Sequence, residues 1–227
     1  MSKTFLQLAS RLRQEVSGSG TGPSTTVGQT GELKRLIDWI VEADEEVQQE
    51  HDEWKFMVGS FTLNTVADDN SYAASDCITP VTDLRNWRLE TFKIYLLASG
   101  TSNEGRLWWM DYQDWYERYN TGSQTNSRPQ LFTVGNDMSI KLGATPDAVY
   151  RISGEYQKSV TSLSANADVP VYPAEFHMLP VYGAMMKHGL YVGAPEFYQK
   201  GEILYNKMMR RMERSQLPRI RTAGPMA

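Results

Sequence analysis

The chain changes its hydrophobic period twice, and that change constrains its fold more than any other feature. At the N-terminal end Phe5, Leu8, Leu12 and Val16 recur at three and four residues, which marks a short amphipathic helix. Thr30 is placed to cap a second helix, and Glu32 falls in its first turn, where the helix dipole favours an acid. Leu33, Leu36, Ile37, Ile40, Val41 and Val47 form its apolar stripe with Trp39 beside it, and they predict a helix to about residue 50. The middle of the chain has no such period. "SFTLNTVA" (Ser60 to Ala67) and "RLETFKIYLLAS" (Arg88 to Ser99) carry the β-branched and aromatic residues of strands. Leu131 to Gly143 reads as a hairpin turning at Gly135-Asn136-Asp137, with a further strand in "DAVYRISGEYQKSV". Within this region Tyr112, Trp115, Tyr116 and Tyr119 have the spacing of one short helix.

From Pro173 the helical period returns. Phe176, Leu179, Gly183, Met186 and Leu190 make one apolar face, and Met178, Tyr182 and Met185 a second. Pro180 removes a backbone donor and is expected to kink or restart this helix. Gly193-Ala194-Pro195 is a tight connection with Pro195 suited to a first helical position. Phe197, Gly201, Leu204, Met208 and Met212 mark a last helix that closes near Leu217-Pro218. The order predicts an α+β fold. Helical pairs in 1–53 and 173–217 meet in one four-helix bundle, residues 54–172 form a β-rich insertion, and 218–227 leave as an extended tail.

A chain of 227 residues with 41% hydrophobic and 22% charged content buries a real core in one elaborated domain. The formal net charge of −4 does not advertise a surface for nucleic acid. Cys77 is the sole cysteine, so no internal disulfide and no cysteine-rich metal site can form. The first residues spread their charges and lack the apolar stretch of a signal peptide, and no run reaches membrane-span length. Synthesis and assembly in a reducing cytoplasm are expected.

The sequence carries few motifs with a chemical signature. "SGSGTGPSTT" (Ser17 to Thr26) looks like a phosphate loop, but Pro23 stands where the P-loop lysine must be and brings neither charge nor N–H. The preceding segment reads as helix rather than strand, so the stretch is taken as a flexible interhelical linker. His177 and His188 lie about three helical turns apart, roughly 16 Å, too far to share an ion. "ADDNSYAASD" lacks the glycine and terminal Glu of a calcium loop. No Gly-x-Ser-x-Gly elbow occurs, and Cys77 has no histidine nearby in sequence. No catalytic, cofactor-binding or metal residue is assigned. The aromatic segment Trp108 to Tyr119 either packs a sheet on a helix or, exposed, stacks on sugars. Asp111, Asp114 and Glu117 would then be candidate glycosidase carboxylates. Charge is asymmetric: acids cluster from Glu42 to Glu53, and Lys207, Arg210, Arg211, Arg214, Arg219 and Arg221 gather near the C-terminus.

"SGSGTGPSTTVGQTGELKRLIDWI", "LGATPDAVYRISGEYQK" and "FHMLPVYGAMMKHGLYVGAPEFYQKGEILYNKMMRRM" resemble segments of bacteriophage head-to-tail adaptor proteins, the tail tubular protein A-like connectors. The likeness runs from the first helix to Met212, with Pro180 as a departure. It implies a non-enzymatic virion subunit without cofactors. Such a subunit forms a dodecameric ring beneath the portal, contacts a tail or nozzle protein, and lets double-stranded DNA pass. That location is the virion neck. A C-terminal extension reaches the portal in related adaptors, which puts Leu217, Pro218, Arg219, Ile220 and Arg221 in portal docking. Acids repel DNA where Lys and Arg would hold it, so Glu42, Glu45, Glu46 and Glu50 are expected to face or border the channel. A glycan-binding or glycan-cleaving protein and a tail-tube terminator are the alternatives.

Overall fold

The computed structural model describes residues 2–17, 22–122 and 124–218. It divides into two compact units. The described residues up to Met57 and from Val160 form one, and Val58–Ser159 form the other. Helices α1 (Phe5–Ser17), α2 (Gly31–Gln49), α4 (Leu179–Val192) and α5 (Pro195–Gln216) belong to the first unit, and α3 (Tyr112–Tyr119) to the second.

In the helical unit the predicted apolar residues of α1 are all buried, Leu8 and Leu12 completely. Its start is tied down where Phe5 and Leu6 donate backbone N–H groups to the carbonyls of Asp168 and Asn166, at 2.7 and 3.2 Å. Thr30 occupies the cap position of α2 in extended conformation, but its side chain makes no capping bond. Pro180 falls in the first turn of α4, where a missing N–H costs nothing, so the helix begins there after a 3₁₀ turn at Ala174–Phe176. Gly193 closes α4 at φ 68°, a left-handed conformation that glycine adopts without strain. The expected stripe does not hold to its end: Leu190 is 70% exposed. Val181, Ala184, Met185 and His188 are buried instead, because α4 is covered on three sides by α1, α2 and α5.

The helices gather about α4, whereas the sequence reading placed them around one common core. Two apolar clusters result. Phe5, Leu8, Leu12, Leu36, Ile40, Val181 and Met185 build one. Val47, Trp54, Met57, Phe176, Leu179, Met209 and Met212 build the other. Small residues set the spacing. A Cβ on Gly183 would stand 2.8 Å from Ala43 Cβ on α2, and one on Gly189 2.6 Å from the Tyr198 backbone nitrogen on α5. Residues 160–172, expected within the β-rich part, join the helical unit. The Gln48 side chain bonds both backbone groups of Thr161, and Leu163 and Tyr172 enter the helical clusters.

The second unit has two sheets. Its strands are β1 (Val58–Asn64), β2 (Ser71–Tyr72), β3 (Leu84–Trp87), β4 (Lys93–Leu96), β5 (Gly105–Arg106), β6 (Trp108–Trp109), β7 (Leu131–Val134), β8 (Ile140–Gly143) and β9 (Tyr150–Lys158). One sheet runs β1-β9-β4-β5 with β3 also on β9, and the other runs β2-β8-β7-β6. β9 pairs antiparallel with β1, with Phe61 opposite Gly154 and Leu63 opposite Ile152. The missing side chain at Gly154 leaves room for the rings of Phe61 and Phe92. Phe92 stacks on Phe132 at 4.1 Å and joins the cores of the two sheets. The hairpin at Gly135 forms as predicted, closed by Gly135 N–H to the Ser139 carbonyl at 2.8 Å. The long strand expected over Arg88–Ser99 shortens to Lys93–Leu96 between 3₁₀ turns. Two side chains compete with the ladder there: the Thr91 hydroxyl donates to the Arg88 carbonyl, and Asn103 Oδ1 accepts from Leu96 N–H.

Candidate interaction surfaces

The acidic stretch of α2 separates into an outside and an inside. Glu42, Glu46 and Glu50 are exposed and Glu45 is half-buried. Lys187 of α4 reaches back to Glu42 and Glu46 at 2.9 and 2.7 Å. Burial lowers the Lys187 pKa, but hydrogen bonds and charge from Glu46 and Glu42 outweigh it and hold the ammonium above its usual value. Glu45 accepts from the Ser162 hydroxyl. The structure thus puts Glu42, Glu45 and Glu46 on α2 and Glu50 at its C-terminal cap, with Lys187 shared by Glu42 and Glu46.

Asp44, in the same run, is only 1% exposed. Its Oδ1 accepts from the Tyr172 hydroxyl at 2.7 Å and its Oδ2 from Gln48 Nε2 at 2.9 Å. Burial pushes its pKa from 3.8 up to about 6, against the pull of those two bonds. The network continues as the His177 ring accepts from Lys3 N–H at Nδ1 and its Nε2 donates to the Tyr172 carbonyl at 2.9 Å. Position in a charged run hides Asp44 from sequence reading. The only available signal is its place on the wheel beside Ile37, Ile40 and Val47.

Of the proposed docking residues, Leu217 packs on the cluster of Trp54 and Met212, and Pro218 is exposed. Leu217 also donates its N–H to the Glu213 carbonyl, which seals the end of α5. Arg219, Ile220 and Arg221 lie outside the described residues. Upstream, the basic residues Lys207, Arg210, Arg211 and Arg214 are all exposed.

The aromatic segment is divided between packing and surface. Trp115 is buried and donates its indole N–H to the Leu142 carbonyl at 3.1 Å. Trp108 and Trp109 on β6 are 55% and 50% exposed, with the Arg106 guanidinium 4.3 Å over the Trp108 ring. Asp111 caps α3 by accepting from Gln113 N–H, which gives it a structural task. The pocket beside Trp108 is lined by Ile94, Arg106, Arg128, Pro129 and Gln130, without any carboxylate. Asp111, Asp114 and Glu117 are not brought to it.

Among the described residues no group of three His, Cys, Asp or Glu is placed to hold a metal. Cys77 is buried, and burial with the Asp76 charge pushes its thiol up to about 11, away from nucleophilic use at neutral pH. Part of the glycine-rich stretch is better ordered than a flexible linker. Asn166 Oδ1 accepts from Thr26 N–H and from the Thr26 hydroxyl, both at 2.7 Å. No helix among the described residues is long and apolar enough to cross a membrane. A family model described as SU10 adaptor protein matches residues 3–227. No curated protein matches the chain.

Proposed function

The chain belongs to the SU10 adaptor protein family, a bacteriophage structural family, and on that premise we propose that it forms the ring joining a DNA-filled head to its tail. In this reading dodecamers sit beneath the portal in the virion neck, after assembly in the host cytoplasm. Each ring contacts portal above and a tail or nozzle protein below, and leaves a channel for double-stranded DNA. The role is architectural rather than enzymatic. The observation that carries it is the extent of the family match, which spans both compact units rather than one of them.

The α2 acids Glu42, Glu45, Glu46 and Glu50 belong at or beside that channel. Like charge keeps phosphate from adhering to the wall, and Lys187 neutralises only part of the row. The tail beyond α5, with Pro218, Arg219, Ile220 and Arg221, docks on portal. Leu217 anchors the tail's root to the helical unit. Multiplied over a ring, a weak contact per copy becomes a strong one through avidity. Sedimentation of the purified chain with portal tests the assignment. A ring-sized mass bound to portal is expected, whereas binding to the distal end of a tail tube would identify a terminator instead.

A further inference from the structure

Helix α5 has one face buried against its own chain and an opposite face that is exposed among the described residues. Gly201, Met209 and Met212 are buried, while Ile203, Lys207, Arg210, Arg211 and Arg214 are exposed at intervals of three and four along the other side. Among the described residues these four cations take part in no ion pair or hydrogen bond. The cations extend over about 10 Å from Lys207 to Arg214, and with Ile203 the exposed row extends over about 16 Å. The counterpart in sign lies on the same unit. Glu42 and Glu46 on α2 and Glu50 at its C-terminal cap follow at four-residue spacing, with Glu45 beside them, over about 12 Å. Among the described residues Lys187 is the one cation paired with this row, because Lys207, Arg210, Arg211 and Arg214 lie on the side of α5 opposite the buried Met209 and Met212.

We infer that the exposed face of α5 docks on the acidic face of α2 in a second copy of this chain. Two different, complementary faces on one subunit make a head-to-tail contact, the kind that closes into a ring when the rotation permits. The proposal therefore rests on the ring reading and supplies its seam. It also places the α2 acids where copies meet, bordering the channel rather than facing it. A second copy fits better than DNA because the α5 row begins with Ile203, 66% exposed, which has no use for a phosphate. Leu190 and Tyr191, at the adjoining end of α4, are exposed as well. Large exposed apolar side chains together with a charged row suit a protein partner better than a phosphate backbone.

The test uses two full-length variants and sedimentation velocity in low salt. One carries Lys207→Glu, Arg210→Glu, Arg211→Glu and Arg214→Glu. The other carries Glu42→Lys, Glu46→Lys and Glu50→Lys, with Lys187→Glu to keep the pairs inside the chain. Wild type self-associates, and added salt weakens it by screening. Each variant alone associates roughly tenfold more weakly or worse, while a one-to-one mixture recovers because each reversed face now meets its opposite. Circular dichroism showing wild-type helix content excludes misfolding as the cause. A variant that associates like wild type, a mixture that fails to recover, or a wild type that is monomeric at the highest concentration reached overturns the seam. The ring reading is then judged separately, by the mass bound to portal. Random double-stranded DNA is the control partner. If the α5 reversal abolishes DNA binding and spares self-association, the face serves DNA and the proposal is wrong.

Discussion

Asp44 should make the helical unit less stable as pH rises from about 4 to 6. Its carboxyl has a pKa of about 6 in the fold against 3.8 as the ordinary value, chiefly because burial disfavours the charged form. Between these two values the folded chain holds a proton that the unfolded chain has released, so raising the pH favours unfolding. The contribution is fully present below pH 3.8 and is lost as the pH passes through about 6. A separation of that size corresponds to roughly 3 kcal/mol, a sizeable share of the stability of a typical domain. The hydrogen bonds from Tyr172 and Gln48 keep the loss from being larger.

Two substitutions isolate the effect. Asp44→Asn cannot ionise, so its stability should lack this slope. Relative to wild type it should cost about 1–3 kcal/mol near pH 4, because one amide cannot reproduce both of the bonds that Asp44 makes to Gln48 and Tyr172. That cost should shrink by roughly 3 kcal/mol as the pH passes about 6 and wild type loses its own contribution. Tyr172→Phe removes a donor from the ionised carboxylate and should cost about 1.5–3 kcal/mol at pH 7.5, and less at pH 4.5 where Asp44 is protonated. The assay is urea unfolding followed by far-UV circular dichroism at a series of pH values, with the variant curves subtracted from wild type. Other titrating groups cancel in that difference. Equal slopes for wild type and Asp44→Asn between pH 4 and 7, or a Tyr172→Phe cost independent of pH, would refute the reasoning.

Three further outcomes follow from packing and bonding. Gly189→Ala raises helix propensity by about 1 kcal/mol, but its Cβ would stand 2.6 Å from the Tyr198 backbone nitrogen. The variant should therefore melt lower than wild type by a net roughly 1–3 kcal/mol; an unchanged or higher Tm shows that α4 and α5 can separate freely. Asn166→Ala removes the acceptor shared by Thr25 and Thr26, and limited proteolysis should then cut between residues 22 and 30 several times faster, at about 1–3 kcal/mol of local stability. Truncation after Pro218 should leave the melting curve intact and abolish co-sedimentation with portal, whereas truncation after Gln216 should lower Tm as well, because Leu217 packs on Trp54 and Met212.

What sequence could and could not reveal divides along the range of the forces involved. α1, α3 and the Gly135 hairpin are set by local period and turn chemistry, and Tyr112–Tyr119 forms the helix its aromatic spacing predicts. Features that depend on a distant partner escaped. Residues 160–172 have no helical or strand period of their own; they are fixed by Gln48 from one side and by α1 from the other. Leu190 fits the apolar stripe of α4, yet no neighbour covers it at the last turn. The acidic run shows the difference most clearly. Glu42, Asp44, Glu45 and Glu46 are equivalent as letters, but the pitch of α2 turns Asp44 into the interior beside Tyr172 and leaves the glutamates outside. The same pitch collects Lys207, Arg210 and Arg214 on one exposed face of α5, where helix-dipole reasoning alone explained them as last-turn cations. Lys207 and Arg210 lie too far before Gln216 for that effect, which falls off within the last turn. Cations placed beyond the dipole's reach and unpaired among the described residues have no structural task within their own subunit, and the proposed seam between copies gives them one.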